Sequence, residues 1–178
     1  MVYPVNSVIV RAEGPGDISD IDNVVRAAFG RDDEVLLIRA LRDAGNFNPL
    51  LSRVAILDGA VVGHVLFPDI AVVNGADTIP VLALAPVAVQ PAFQRRGIGS
   101  ILIRDGLAVC RSLGHRIVIV LGHPAYYSRF GFSPAGRSGI VAPFPSPDDA
   151  FMALPLVPDA LTGVHGIVRY PPAFDMVS

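Results

Sequence analysis

Apolar positions in the first part of the chain repeat at helical spacing. Ile18, Ile21, Val24, Val25 and Ala28 fall on one face, behind Gly14-Pro15-Gly16 and an Asp17 placed to cap the helix. A charged connector, Gly30-Arg31-Asp32-Asp33, leads to a second predicted helix over Glu34–Ala44, stopped by Gly45. Ahead of both, the β-branched run Ser7–Glu13 reads as a strand. The period then shortens to two. Arg53–Leu57 and Val61–Phe67 are predicted strands, and the Asp58-Gly59 between them is a hairpin turn signal. A further strand is expected over Ile70–Val73, with a turn at Asn74-Gly75. Val81–Val89 reads as one long apolar strand, in which Pro86 demands a bulge or an unpaired edge.

Helical spacing returns over Gly97–Leu113, where Ile98, Leu102, Val109 and Leu113 form a stripe that Gly114 ends. Arg116–Leu121 is almost wholly apolar, as strands of buried parallel pairs are. Strand, helix and strand together make a βαβ unit. A short helix around Pro124–Phe130, a turn at Gly131 and closing strands at Phe132–Ala135, Phe151–Leu156 and Gly166–Tyr170 complete the chain. The pattern is mixed α/β, with antiparallel strands first and a parallel crossover later.

Composition narrows the function. The 178 residues suit one domain, 1–178. All 14 basic residues are Arg, so no lysine Schiff base or P-loop lysine is available. A net charge of −2 argues against a globally basic nucleic-acid binder. The single Cys110 permits no internal disulfide, and His115 and His165 lack partners at metal-ligand spacing, so no metal is expected. The first residues show no basic region followed by an apolar block, and three prolines break the longest uncharged stretch, Thr78–Gln94. A soluble, cytoplasmic protein without membrane contact is the expectation.

The chemistry concentrates in Val87-Ala88-Val89-Gln90-Pro91-Ala92-Phe93-Gln94-Arg95-Arg96-Gly97-Ile98-Gly99-Ser100. A strand runs into a loop with two arginines and two glycines, and the loop opens a helix. Free amides and the positive dipole end at a helix start attract anions. Gly97 and Gly99 let a phosphate approach the backbone. Five arginines and one acid lie between Arg95 and Arg116, a local excess of positive charge that fits a phosphorylated ligand. The same glycines also suit a plain strand-to-helix turn. No third glycine completes a dinucleotide fingerprint, and no Gly-x-Ser-x-Gly elbow or His-Glu-x-x-His pair occurs.

Gln94-Arg95-Arg96-Gly97-Ile98-Gly99 resembles the Gln/Arg-x-x-Gly-x-Gly/Ala signature of the GNAT superfamily of N-acetyltransferases. The surrounding strands, Tyr126-Tyr127-Ser128-Arg129-Phe130-Gly131-Phe132 and the tail Arg169-Tyr170-Pro171-Pro172-Ala173-Phe174 resemble a branch of predicted acetyltransferases of unassigned substrate. The resemblance implies the acyl-CoA N-acyltransferase fold: a mixed central sheet, antiparallel in its N-terminal half, splayed between the strands at 81–89 and 116–121. It implies acetyl-CoA as cosubstrate. The pyrophosphate would sit on Gln94, Arg95, Arg96, Gly97, Ile98, Gly99 and Ser100, and the pantetheine arm along the main chain of Val87, Ala88 and Val89. It implies direct attack of a primary amine on the thioester in a ternary complex, with Tyr127, four residues before Gly131, serving the leaving thiolate.

An alkyl ammonium with pKa near 10.4 must lose a proton before attack, at a cost of about 4.6 kcal/mol at pH 7. Some family members carry a Glu on the strand before the signature; this chain has Leu82-Ala83-Leu84-Ala85 there. Glu34, His64, Asp69 and His123 are the remaining base candidates, with Glu34 also readable as a helix N-terminal charge and His64 as a structural histidine. The acceptor, a small-molecule or peptide amine, would meet Arg31-Asp32-Asp33-Glu34 and Ala142–Pro147; the acidic cluster there would attract a cation or simply be solvated. A homodimer is left open. The missing carboxylate also suits a second reading, a catalytically weak acyl-CoA-binding regulatory protein on the same fold, and a third has the glycines do turn work only, in a structural or interaction protein.

Overall fold

The computed structural model describes residues 7–177. In chain order its regular elements are β1 (Ile9–Ala12), α1 (Ile18–Phe29), α2 (Asp33–Ala44), β2 (Ser52–Leu57), β3 (Ala60–Leu66), β4 (Asp69–Asn74), β5 (Asp77–Ala83), β6 (Val87–Val89), α3 (Ile98–Ser112), β7 (Ile117–Leu121), α4 (Pro124–Tyr127), β8 (Ser133–Pro134), β9 (Ile140–Val141), β10 (Phe151–Pro155) and β11 (Gly166–Arg169), with short 3-10 turns between them. The chain forms two compact units. One comprises the chain up to Pro68, Ala85–Val109 and the tail from Pro172; the other comprises Asp69–Leu84 and Cys110–Pro171.

In the first unit, β1, β2, β3 and β6 form a four-stranded sheet in that order, antiparallel throughout. Asp58 and Gly59 both take positive φ (50° and 80°), the turn that matches strand twist, and Leu57 faces Ala60. The predicted stripe of α1 is buried at Ile21, Val24 and Val25 but not at Ile18, which is exposed in the first turn; the three join Val35, Leu37, Ile38 and Leu41 of α2 in a core with Val54, Leu66, Ala88 and Ala173. Gly30 and Gly45 end the two helices in left-handed conformation, donating to Arg26 O and Arg42 O.

Asp17 does not cap α1 through its side chain. Its carboxylate turns back to accept from the Gly14 amide (2.7 Å) and from Arg11 Nη1 and Nη2 (2.6 and 3.0 Å). A two-pronged guanidinium holds a carboxylate more strongly than a neutral amide does, and it keeps the Asp17 carboxyl below its ordinary value.

Helix α3 lies on this sheet along Ile98, Leu102, Ile103 and Leu107, all buried. Gly63 of β3 makes that approach feasible, since a Cβ there would meet Leu102 Cδ1 at 2.8 Å. Gly106 does the same against the Phe67 ring. Arg53 Nε donates to Asp105 Oδ2 at 2.7 Å and pins the helix to β2.

The second unit is a seven-stranded sheet ordered β8-β10-β7-β5-β4-β11-β9. β5 and β7 run parallel, with Leu82 beside Val118, as do β9 and β11; the other pairs are antiparallel. Val118, Ile119, Met152, Leu82, Val72 and Val168 are its buried centre.

The single strand expected over 81–89 is two strands. β5 begins already at Asp77, pairs with β4 across the Asn74-Gly75 turn and ends at Ala83 beside Ile119. β6 begins at Val87 and pairs with β3. Pro86 has no N–H to continue a ladder. The chain changes partner around it: Leu84 N–H donates to Ile119 O (2.9 Å), whereas Ala85 N–H donates to Leu66 O (3.0 Å) and Pro86 O accepts from Leu66 N–H (3.1 Å). This is a change of sheet rather than a bulge.

Candidate active site

The segment following β6 has an unusual backbone. Arg95 and Gly97 both take positive φ, 59° and 81°. Alternation of this kind turns successive N–H groups toward one concavity, a nest suited to an anion. Among the described residues the amides of Arg95, Arg96, Gly97, Ile98 and Gly99 donate to no backbone carbonyl, and the first bond of the helix runs from Ile101 N–H to Gly97 O (3.1 Å). Arg95, Arg96 and Gly97 are exposed, while Ile98 is buried and anchors the loop. The Arg96 guanidinium lies 5.5 Å from the Phe93 ring centre. Gln94 turns back to β6, its Nε2 donating to Val89 O (3.0 Å).

β6 is the edge of its sheet, and its register decides which groups remain available. Gln90 N–H donates to Val62 O and Pro86 O accepts from Leu66 N–H, so the even-numbered main-chain groups face β3. Ala88 stands opposite His64 in that phase. Val87 and Val89 therefore turn their N–H groups to the free edge, along with Val87 O. Of the three residues named from the sequence, these two carry main-chain groups on the free edge, and the main chain of Ala88 pairs with β3.

Tyr127 ends α4 in the second unit. Its ring is buried, 9% exposed, and packs edge-on to Tyr126 (5.1 Å between centres) and Phe132 (5.8 Å). Gly122, just past β7, is flush against it: a Cβ there would occupy the Tyr127 ring position. Sequence reading missed Gly122, whose only signal is a glycine at the end of an apolar strand. Burial, and secondarily Tyr126, pushes the Tyr127 hydroxyl up to about 12, so at neutral pH it stays protonated and can donate a hydrogen bond. No hydrogen bond to that hydroxyl occurs among the described residues, and it is not among the fully enclosed unpartnered atoms, which are Asp22 Oδ1, Arg42 Nε and Nη1 and His64 Nδ1. Tyr126 differs: it is half-buried, with the Arg129 guanidinium 4.6 Å above its ring.

The base candidates separate clearly. His64 is fully buried, its Nε2 2.7 Å from Ser52 Oγ, and burial with the nearby Arg42 charge lowers its pKa to about 3. It is a neutral structural histidine sealed from any substrate. Glu34 is buried under Arg31, which reaches it at 2.5 Å. Asp32 and Asp33 are likewise paired, with Arg26 and Arg31. Arg26 and Arg31 thus compensate two of the connector's three carboxylates, Arg31 being shared between Asp33 and Glu34. Asp69 and His123 are exposed. Among the described residues no group of three or more His, Cys, Asp or Glu side chains is arranged to hold a metal ion.

Residues 10–135 match the acetyltransferase (GNAT) domain model. The chain belongs to the GNAT acetyltransferase family. Its relatives include the uncharacterised N-acetyltransferases YjhQ of Escherichia coli K12, 39% identical over 153 residues (83% of this chain, 84% of that one), and YhbS of the same strain, 36% identical over 164 residues (92% and 96%). The crystal structure of E. coli YhbS in complex with CoA superposes with a TM-score of 0.90 at 33% identity, covering 100% of this chain and 97% of that one. A GNAT acetyltransferase from Brucella melitensis in complex with acetyl-CoA gives 0.77 at 36% identity, covering 94% and 98%. The GNAT fold expected from the sequence is the fold found. No helix among the described residues is long and apolar enough to cross a membrane.

Proposed function

We propose that this chain is a single-domain N-acetyltransferase, 1–178, that moves acetyl from acetyl-CoA to a primary amine by direct attack. The observation that carries the reading is the run of amides without backbone partners from Arg95 to Gly99, at the start of α3, in a chain whose relatives' structures hold CoA and acetyl-CoA. In this reading those amides, with Gln94, Ser100 and the Arg95 and Arg96 charges, receive the pyrophosphate. The free edge of β6 at Val87 and Val89 hydrogen-bonds the pantetheine arm as an added strand would. Fixing the thioester beside the amine supplies most of the rate.

The amine lone pair forms the N–C bond, and the C–S pair leaves with sulfur. One N–H proton departs from nitrogen, and the thiolate takes up one proton from solvent, so that sulfur ends as a thiol. Tyr127 donates a hydrogen bond to the sulfur as its charge builds. A hydroxyl held near 12 stays protonated for this task and is a poor base. The proton from nitrogen passes to solvent, or through water to Asp69 or His123.

Amine-dependent release of CoA thiol from acetyl-CoA is the test. Turnover with any primary amine supports the reading. Binding of acetyl-CoA without turnover across a broad amine panel contradicts it, and favours the acyl-CoA-binding regulatory protein suggested by the absence of a carboxylate in Leu82–Ala85.

A further inference from the structure

Gly122 is not one of the glycines with positive φ, so its backbone does not call for glycine. Its N–H donates to Ala150 O at 3.0 Å and carries the β7–β10 pairing one step past Leu121. What excludes a side chain is the ring of Tyr127. A Cβ on Gly122 would overlap Cε2 of that ring and stand 2.8 Å from Cδ2 and 3.3 Å from Cζ, the carbon that bears the hydroxyl. No other residue is among its three nearest atoms.

The ring is enclosed on its other sides. Tyr126 stands edge-on at 5.1 Å, Phe132 edge-on at 5.8 Å and Phe130 tilted at 6.4 Å, with Phe132 buried. The backbone of Tyr127 is tied to the same short segment. The N–H groups of Tyr126 and Tyr127 both donate to His123 O at 3.1 Å, and that of Ser128 donates to Pro124 O. The main chain is thus fixed one residue after the glycine, and the ring is set down on the glycine itself. A tyrosine ring is placed by two side-chain torsions in a few wells, so an anchored backbone and one hard seat determine where its hydroxyl lies.

We propose that Gly122 is a positioning residue for acetyl transfer: its bare α-carbon is the seat that sets where the Tyr127 hydroxyl meets the departing sulfur. The inference rests on the role proposed for Tyr127 above and adds what holds that role in place. A methyl group on Gly122 pushes the hydroxyl end of the ring outward by roughly 1 Å, and a misplacement of that size costs up to about 10²-fold in rate. A contact made only in the transition state is lost from kcat and not from ground-state binding.

The test is a double-mutant cycle on the full chain. Thiol release at saturating acetyl-CoA is followed with whichever of n-butylamine, putrescine, glycinamide and 2-phenylethylamine is turned over fastest, in the wild type, Gly122→Ala, Tyr127→Phe and the double variant. Calorimetry gives the acetyl-CoA Kd of each. Gly122→Ala is expected to lower kcat about 10- to 100-fold at unchanged Kd. In the Tyr127→Phe background the same change is expected to cost nothing further, because no hydroxyl remains to be misplaced. An equal loss in both backgrounds, the mark of a general packing role, overturns the inference, as does a Gly122→Ala kcat within about 2-fold of wild type. Should Gly122→Ala show no cooperative thermal transition, the cycle is run in Phe132→Leu, whose smaller side chain leaves the ring room to shift, with Phe132→Leu as reference and the same outcomes. The levels separate cleanly. A normal kcat in Tyr127→Phe removes Tyr127 and Gly122 together and leaves acetyl transfer standing; no turnover of any of the four amines removes all three.

Discussion

Two buried side chains define what single residues do here. Tyr127 is a phenol kept protonated by burial, with Gly122 making room for its ring. Tyr127→Phe keeps the packing and removes only the donor, so kcat is expected to fall about 10²–10⁴-fold with the acetyl-CoA Kd unchanged; steady-state kinetics with calorimetry reads both, and a normal kcat takes Tyr127 out of the step. His64 is the opposite case, a histidine with a structural role. Its folded pKa of about 3 lies below the ordinary 6.5, so between those values the unfolded chain binds the extra proton. Stability therefore rises with pH through that window and is lost as pH falls, by up to about 1.4 kcal/mol per pH unit for this one group. Urea unfolding of the wild type and His64→Asn between pH 6 and 4 is expected to show a steeper acid loss in the wild type. Parallel slopes contradict this. The sequence places His64 in a strand, but only the packing around it distinguishes a sealed imidazole from a base.

Among the elements, the loop into α3 was legible because its features are local: glycines, arginines and a helix start within a few residues. The positive φ of Arg95 was not, since nothing in an arginine announces it. The division of 81–89 into β5 and β6 was obscured because the apolar run continues through the break; which sheet each half joins is decided by Ile119 and Leu66, far apart in sequence. For the same reason the outward phase of Val87 and Val89 depends on pairing with β3 and has no sequence signal. The Asp17 cap failed because Arg11 competed for the carboxylate. The loop itself gives a direct prediction. Gly97 combines exposure with φ 81°, so Gly97→Val both strains the nest and places methyl groups over its amides. A loss of at least about 100-fold in acetyl-CoA affinity is expected by calorimetry, with Leu102 and Ile103 still anchoring the helix in the core.

For the whole molecule, fold and family were readable in advance, since alternating periods and one motif reflect constraints spread along the chain. The acceptor was not. The loop expected to meet it, Ala142–Pro147, has its Phe144 against Phe151 and Tyr170, from segments that come together only on folding. Acetyl transfer by this chain depends most on the exposed amides from Arg95 to Gly99 holding a pyrophosphate. Its most direct test is the affinity of the wild-type chain for acetyl-CoA beside S-acetylpantetheine, which keeps the thioester and arm and lacks the pyrophosphate, repeated in Gly97→Val. Acetyl-CoA bound at least about 100-fold more tightly by the wild type, with the ratio falling toward one in the variant, is the result predicted. Equal affinities, or a ratio untouched by Gly97→Val, would contradict it.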